Sequence, residues 1–564
     1  MMLKQICVCF ALSCVLIAQQ LPSATYSASG SNPEKTYTIA GMVVDMVTGE
    51  PLPNTEVNIA LTFGAGQFRD AVSVESGPDG RFSFSGVKRG KYLLSARRRG
   101  YSLQGFEQHD ELSTAVVTGE GLDSEHFLFR LRPDASIRGR VADSDNDPVE
   151  GASIYIATID TRTGEQTTHL IRTVFTDDRG EYVIPHIPPG TYYLAVAARP
   201  WYANPQRTSP ATDSAAHHAS SVSSLDVAFP VTYYPGTTSR EAARPIKLQP
   251  GDATTADFLL QAVPALHLQV GEPARDEGAG GQNTAGTLSR PFSRRYPEVR
   301  QSVFGTLLAA PGAAYVGESD GSLEVAGLAP GEYTLATHGT HGEPISVETV
   351  ELHSSTKVDS SHSEKRVAVS GTVHYGQQSK LDSYSIVLYE RKTGKSHVTA
   401  SNAKEFNFGE PLEPGAYEVL VHSRSRFYIA AIHAAGTKVT GRTITLGASP
   451  EATLDILMAS GTGEVSGVAM IAGKPSAAVM VVLVPNDPKH NLALFRRDQS
   501  DSDGTFLLPS VVPGEYSVVA LSNAWDLEWL NPDVLQKYLG RAVPVVVNPD
   551  SKPTVTVEVE KVSR

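Results

Sequence analysis

Four stretches of this 564-residue chain share one pattern: an Asp/Gly turn, a short alternating run, a second Gly, and a Tyr two residues after it. They read GPDGRFSFSGVKRGKYLLSA from Gly77, TDDRGEYVIPHIPPGTYYLAV from Thr176, ESDGSLEVAGLAPGEYTLA from Glu318 and DSDGTFLLPSVVPGEYSVVA from Asp501. A fifth, weaker copy, AKEFNFGEPLEPGAYEVLV, starts at Ala403. In the four, Gly80, Gly180, Gly321 and Gly504 precede Gly90, Gly190, Gly331 and Gly514 by ten residues each time. A register held this strictly marks a repeated structural unit. Between the glycines apolar residues fall on every second position: Phe82 with Phe84, Tyr182 with Ile184, Leu323 with Val325, Phe506 with Leu508. Alternation resumes after the second glycine, as in Tyr92, Leu94 and Ala96, so each copy predicts two half-buried strands around a tight connection.

A front half recurs as well: TIAGMVVDMVTGEPLPNTEVNIAL from Thr38, SIRGRVADSDNDPVEGASIYIAT from Ser136, AVSGTVHYGQQSKLDSYSIVLY from Ala368 and EVSGVAMIAGKPSAAVMVVLV from Glu464. Each reads as strand, polar turn, strand. Gly41, Gly139, Gly371 and Gly467 interrupt the first strand at one place, the signature of a bulge or a close backbone approach. The tyrosines Tyr92, Tyr192, Tyr333, Tyr417 and Tyr516 are the most regular residues of all. A Tyr opening a strand after a sharp turn suits a corner, with its ring in the core and its hydroxyl on nearby backbone. The alternative is a row of exposed aromatic contacts; the shared position in differing surroundings favours the corner.

These residues resemble the carboxypeptidase regulatory-like domain family, the transthyretin-like β-sandwich that accompanies the catalytic domain of some metallocarboxypeptidases. The signature is Gly-x-Val at Gly41 to Val43, Gly139 to Val141 and Gly371 to Val373, then the Asp-Gly turn, then Pro-Gly-x-Tyr. The last copy has Ala469 in place of the Val, the fourth lacks the Asp-Gly turn, and the third keeps only its back half. The resemblance implies an all-β chain, a tandem array of about five transthyretin-like antiparallel β-sandwiches strung as beads. It is specific for fold and weak for function, since the family is a reused accessory module that includes sugar binders.

From these anchors the modules span 36–133, 134–262, 263–362, 363–459 and 460–564. A disordered insertion is expected at 203–228 in the second, rich in Ser, Ala, Thr and His, and a mobile loop at 272–302 in the third, where apolar periodicity is lost. One helix is expected, at about 532–539: Asn531 caps it, Pro532 suits its first turn, Val534, Leu535, Tyr538 and Leu539 form its stripe, and Gly540 stops it.

Residues 1–24 read as an export signal, with Lys4 before an apolar run from Ile6 to Ala18 that is short for a membrane span. Cys7, Cys9 and Cys14, the chain's three cysteines, all fall inside it, so the exported chain has no thiol for a disulfide or a thiolate metal site. The formal net charge is −13. The dense basic clusters are Arg97 to Arg99 and Arg294 with Arg295, too little footprint for nucleic acid. No later run is long and apolar enough to span a membrane.

Catalytic patterns are missing. None of the 16 histidines has Glu three residues on, so no zinc-peptidase pair is formed. GTKVTGRT from Gly436 mimics a phosphate loop but has Arg442 where Lys belongs and no helix after it. Asp143, Asp145 and Asp147 are spaced like the start of a calcium loop, yet Pro148 and Ile154 stand where Gly and Glu are needed, and an Asx-rich hairpin turn fits better. His217 and His218 are adjacent, which makes them a poor chelating pair. No cofactor or metal is expected. Trp201, Tyr202, Trp525 and Trp529 are the candidate sugar-stacking residues, with packing at a module seam as the alternative for each tryptophan. The leading functional reading is an exported, non-catalytic structural or adhesive protein of the bacterial cell envelope, periplasmic, cell-surface or extracellular, whose partner is a polysaccharide or an envelope protein. A carbohydrate-binding module array is the rival, and an enzyme with an unrecognised site in the long loops is the third reading.

Overall fold

The computed structural model describes residues 35–62, 68–164, 166–205, 224–270, 298–317, 323–338, 344–358, 366–376, 384–399, 404–409, 411–423 and 427–562. The expected export signal at 1–24 with its cysteines, Gly321, Arg294, Arg295, His217 and His218 lie outside them.

Five sandwich cores follow one another along the chain, led by Ile39 to Leu131, Ala135 to Leu260, Leu268 to Val358, Val367 to Met458 and Val465 to Val557. The repeat explains their common plan. In the first, Tyr37–Asp45 pairs antiparallel with Arg81–Val87, the strand after the Asp-Gly turn, and parallel with the closing strand Phe127–Leu131. The facing sheet is Phe68–Glu75, Glu56–Thr62, Gly90–Arg97 and Gln104–Gly105 in that order. The other four repeat the parallel opening-to-closing pair: Ala135–Asp143 with Phe258–Leu260, Leu266–Val270 with Thr356–Val358, Ala368–His374 with Glu451–Ser460, and Gly463–Ile471 with Thr554–Lys561. The sandwiches are thus mixed: each has this parallel pair, and the second adds Ala253–Thr255 parallel to Ala135–Asp143 and the fifth Gly514–Ser522 parallel to Thr554–Lys561.

That parallel pair accounts for the strand glycines. A Cβ at Gly41, Gly371 or Gly467 would collide with the carbonyl oxygen of Phe127, Leu454 or Val555 on the closing strand, and one at Gly139 with that of Ala256 just before it. At Gly371 and Gly467 it would also strike the rings of Phe406 and Phe506, which lie across the gap. The turn glycines have a different reason: Gly80, Gly180 and Gly504 hold φ of +74°, +71° and +77°, which other residues adopt only at a cost.

All five repeat tyrosines are buried, and each hydroxyl donates to the carbonyl four residues earlier. The pairs are Tyr92 to Lys88 (3.0 Å), Tyr192 to Pro188 (2.7 Å), Tyr333 to Ala329 (2.8 Å), Tyr417 to Glu413 (2.8 Å) and Tyr516 to Val512 (2.7 Å). The ring lies over the second glycine of its repeat, within 3.4 Å of a Cβ placed at Gly90, Gly190 or Gly514. Each tyrosine therefore closes a connecting turn onto the core, and burial pushes the Tyr516 hydroxyl pKa up to about 12.

Three local expectations change. Residues 298–302 are not loop: they lie in strand Glu298–Val303, where Val299, Gln301 and Val303 face inward. The polar Gln301 in the inward series masks the alternation. At the ends of the 203–228 insertion, Ala203 is buried, Asn204 N donates to Leu225 O at 2.8 Å, and Val227–Ala228 pairs with Val263–Pro264. Those residues are ordered, while 206–223 and 271–297 lie outside the described residues. The expected helix is α-helical only over Pro532–Leu535, with Asn531 Oδ1 capping Asp533 N at 3.1 Å, and runs on past Gly540 as a 3₁₀ helix, Gln536–Arg541. The tighter winding, three residues per turn, stacks Leu535 and Tyr538 on one side, and both are buried.

The last module is the most elaborate. Its final strand Thr554–Lys561 pairs with both Gly463–Ile471 and Gly514–Ser522, joining the two faces along one edge. Strand Met480–Pro485 is buried throughout. Val481 and Leu483 enter the sandwich, whereas Met480, Val482 and Val484 enter a second core with Phe495, Trp529 and Leu535.

Candidate functional site

The second core of the last module is the hub of the chain. Modules distant in sequence close on it, so the expected string of beads is instead a closed arrangement. Strand Arg496–Gln499 and the turn after it carry most of the contacts with the first module. Arg497 Nη1 bonds Asp110 Oδ2 at 2.9 Å and Nη2 bonds Glu111 Oε1 at 2.8 Å. Its guanidinium lies 4.7 Å from the ring of Trp529 and 5.8 Å from that of Trp525, and its side chain is 3% exposed. Burial raises the Glu111 pKa, but hydrogen bonds, including that from Arg497, outweigh it and hold the group below the ordinary value. His109 stacks on Trp525, with centroids 4.3 Å apart and planes at 7°. Its Nδ1 donates to Gln499 Oε1 at 3.1 Å, and burial keeps the imidazole pKa low. Gln499 Nε2 in turn donates to Glu107 O and Thr114 Oγ1.

Beside this group the turn of the last repeat docks on strand Val116–Thr118. Ser502 N donates to Ala115 O at 2.9 Å, Val117 N to Ser502 Oγ at 2.8 Å and Ala115 N to Asp501 Oδ1 at 3.2 Å. Lys91 Nζ bonds Asp501 Oδ2 at 2.5 Å and Thr505 Oγ1 at 2.7 Å. The second module touches the hub through Leu530 N to Arg162 O at 2.8 Å. The fourth touches it through Arg442 N to His490 O at 3.1 Å, Ala493 N to Glu418 Oε1 at 2.7 Å and Arg391 Nη1 to Lys489 O at 2.7 Å. Where the second, fourth and fifth modules meet there is a cleft of about 240 Å³ lined by Thr163, Tyr389, Arg391, Lys489, Asn531 and Asp533. Its cations are engaged, Arg391 with Glu418 and Lys489 with Asp533.

Trp525 and Trp529 are therefore seam residues. Trp201 is different: it is 81% exposed and meets Tyr202 edge to face at 5.6 Å. Burial, then the charges of Asp143 and Asp145, raise the Tyr202 pKa, so this aromatic corner stands beside the acidic turn. Within that turn Asp143 Oδ1 accepts from the backbone of Asp145 and Asp147 at 3.0 and 2.9 Å, an Asx turn. Among the described residues no three His, Cys, Asp or Glu side chains are grouped to hold a metal ion. Residues 436–443 form a hairpin between Lys438–Thr440 and Thr443–Leu446, with the Arg442 side chain buried on Ile429 O, so they do not cradle a phosphate. No helix of the described residues is long and apolar enough to cross a membrane.

The residues of the hub were not singled out from sequence, apart from the two tryptophans. Asp110, Glu111 and His109 fall in an irregular stretch, and Arg497 and Gln499 look like polar positions of an ordinary edge strand. The one available signal was that both tryptophans lie in the segment where the repeat gives way.

Fold and seams define a multi-module β-sandwich protein. Residues 38–118 and 136–217 match the carboxypeptidase regulatory-like domain, so the chain carries that domain in two tandem copies. No curated protein matches the chain. Among solved structures it is similar to GBS52, the minor pilin of Streptococcus agalactiae, at 11% identity, 40% of this chain, 97% of that one and a TM-score of 0.21. It is also similar to the Bacillus anthracis TIE protein (8%, covering 95% and 76%, TM-score 0.16) and to the shaft pilin SpaA of Lactobacillus rhamnosus GG (11%, covering 41% and 98%, TM-score 0.19). Superpositions this loose carry no argument about function.

Proposed function

We propose that this chain is an exported, non-catalytic scaffold of the bacterial cell envelope, with a structural or adhesive role. The observation that carries the reading is the hub. Buried polar groups such as Arg497, Gln499 and Glu418, which in an enzyme would face a substrate, are engaged in tying the first and fourth modules to the fifth. A body fixed in this way presents its outer loops at set positions, which suits a protein that bears load or displays a surface to a polysaccharide or an envelope protein. The purified chain, incubated with a panel of peptidase, esterase and glycosidase substrates, is expected to turn over none. Turnover abolished by replacing one polar residue would overturn the reading.

A second reading, carbohydrate binding, is favoured by one feature, Trp201. An exposed indole with a tyrosine edge and carboxylates beside it is a suitable stacking platform for a sugar ring. Calorimetry against cell-wall and plant polysaccharides decides it. Binding by the parent chain that is lost in Trp201→Ala supports it, and no heat with any polysaccharide rejects it.

A further inference from the structure

His267, Asp226 and Glu324 form a buried cluster where the second and third modules meet, and the scaffold reading makes no use of it. His267 lies on strand Leu266–Val270 and Glu324 on the neighbouring strand Leu323–Leu328, while Asp226 precedes the short strand Val227–Ala228. His267 and Asp226 are each 5% exposed and Glu324 is 0% exposed. His267 Nε2 meets Asp226 Oδ2 at 2.7 Å, and its Nδ1 bonds Glu324 Oε1. Both partners are carboxylates. Two ionised carboxylates can only accept, so both ring nitrogens must donate, and only the imidazolium does so.

Backbone contacts between the two modules surround this cluster. Ala265 N donates to Asp226 O at 2.9 Å, Val227–Ala228 pairs with Val263–Pro264, and Ala228, Ala265 and Ala329 form a small apolar cluster above it. On the other side of His267, strand Thr356–Val358 pairs with its own, Ser355 Oγ accepts from the His267 backbone N–H at 3.0 Å, and Lys357 is exposed. The charged groups facing the imidazole are thus Asp226 from the second module and Glu324 from the third.

We propose that this cluster is a proton-operated latch between the second and third modules: protonated His267 holds residues 224–228 against the third sandwich, and loss of the proton releases them. A neutral imidazole donates from one nitrogen and turns a lone pair toward the other carboxylate, which then sits buried without its donor. Burial alone would lower the imidazole pKa, and the hydrogen bonds and charges of Glu324 and Asp226 outweigh it and raise it. A His raised in the folded state contributes stability that is fully present below its unfolded value near 6.5 and is lost as pH rises through the folded value. Each unit of difference is about tenfold in the opening constant.

The test is hydrogen exchange on the full chain at pH 6 and pH 9, with rates corrected for intrinsic chemistry. Peptides covering 224–229 and 263–268 are expected to lose protection at pH 9, while the core strand Ser153–Asp160 keeps its own. His267→Gln, which carries no titrating proton, is expected to show no pH step in those peptides, and Asp226→Asn a smaller one. Equal protection at both pH values in the parent chain, an equal loss everywhere, or a full pH step retained in His267→Gln would each overturn the proposal.

Discussion

Lys91→Met isolates the energy of the seam between the first and last modules. Lys91 leaves its own strand to bond Asp501 and Thr505, and its side chain is 36% exposed against 14% for Asp501. Removing one partner of a fully buried ion pair costs about 3–5 kcal/mol; solvent screening at the half-exposed lysine reduces this to about 1–3 kcal/mol. The sign with pH follows from Asp501. Burial holds its carboxyl above the ordinary value although Lys91 pulls it down, so ionised Asp501 is already costly and becomes more so without the lysine. The penalty of Lys91→Met should therefore be full where Asp501 is ionised in the folded chain and fade as pH falls through its raised folded value, where the carboxyl takes up its proton with or without the lysine. The double variant Lys91→Met with Asp501→Asn should cost less than the two singles added, by at least about 1 kcal/mol, because the uncompensated charge is gone. A multi-module chain does not unfold in one step, so the assay is hydrogen exchange in peptides covering 113–118 and 499–506. Unchanged exchange in Lys91→Met at pH 8, or additive costs in the double variant, would refute the reasoning.

Gly371→Ala drives a methyl into Leu454 O and the Phe406 ring, so melting of the fourth module should fall by the equivalent of about 1–3 kcal/mol, whereas Gly376→Ala, with open space around it, should leave calorimetry unchanged. Tyr417→Phe removes the hydroxyl bonded to Glu413 O and should cost about 0.5–1.5 kcal/mol in the same module; a loss beyond about 3 kcal/mol would mean that the hydroxyl does more than close the corner. Burial pushes Asp498 up to about 7, although Leu507 N and Gln499 N donate to it. Its folded pKa is raised, so stability should fall as pH rises from about 4 to about 7. Asp498→Asn should flatten that part of the profile in a pH series of thermal scans.

The repeat could be read from sequence because each of its residues answers to a local cause. Gly80 is needed for a positive φ, Gly41 for a strand passing too close, and Tyr92 for a turn that needs an anchor; such causes act within one module and leave a mark at a fixed spacing. The hub has no such mark. Arg497 and Asp110 are chosen for each other across 387 residues, and a single pair of opposite charges looks like any solvated surface. Strand Glu298–Val303 was hidden by Gln301, a polar residue in an inward position, and the 3₁₀ winding of Gln536–Arg541 by an apolar stripe compatible with either helix. Trp525 stood out as a rare residue. What it stacks on, His109, could be learned only once the two ends of the chain were brought together.

The closed arrangement is tested most directly by a disulfide. Ser502 N donates to Ala115 O at 2.9 Å, which keeps the two Cα atoms within the roughly 7 Å that a bridge can span. All three native cysteines lie at or before position 14, so Ala115→Cys with Ser502→Cys introduces the only thiols in the body of the chain. Mild oxidation should convert the monomer nearly completely to an internally bridged form that migrates faster on a non-reducing gel and reverts on reduction. Two thiols that stay free, or that bridge only between chains, would contradict the account.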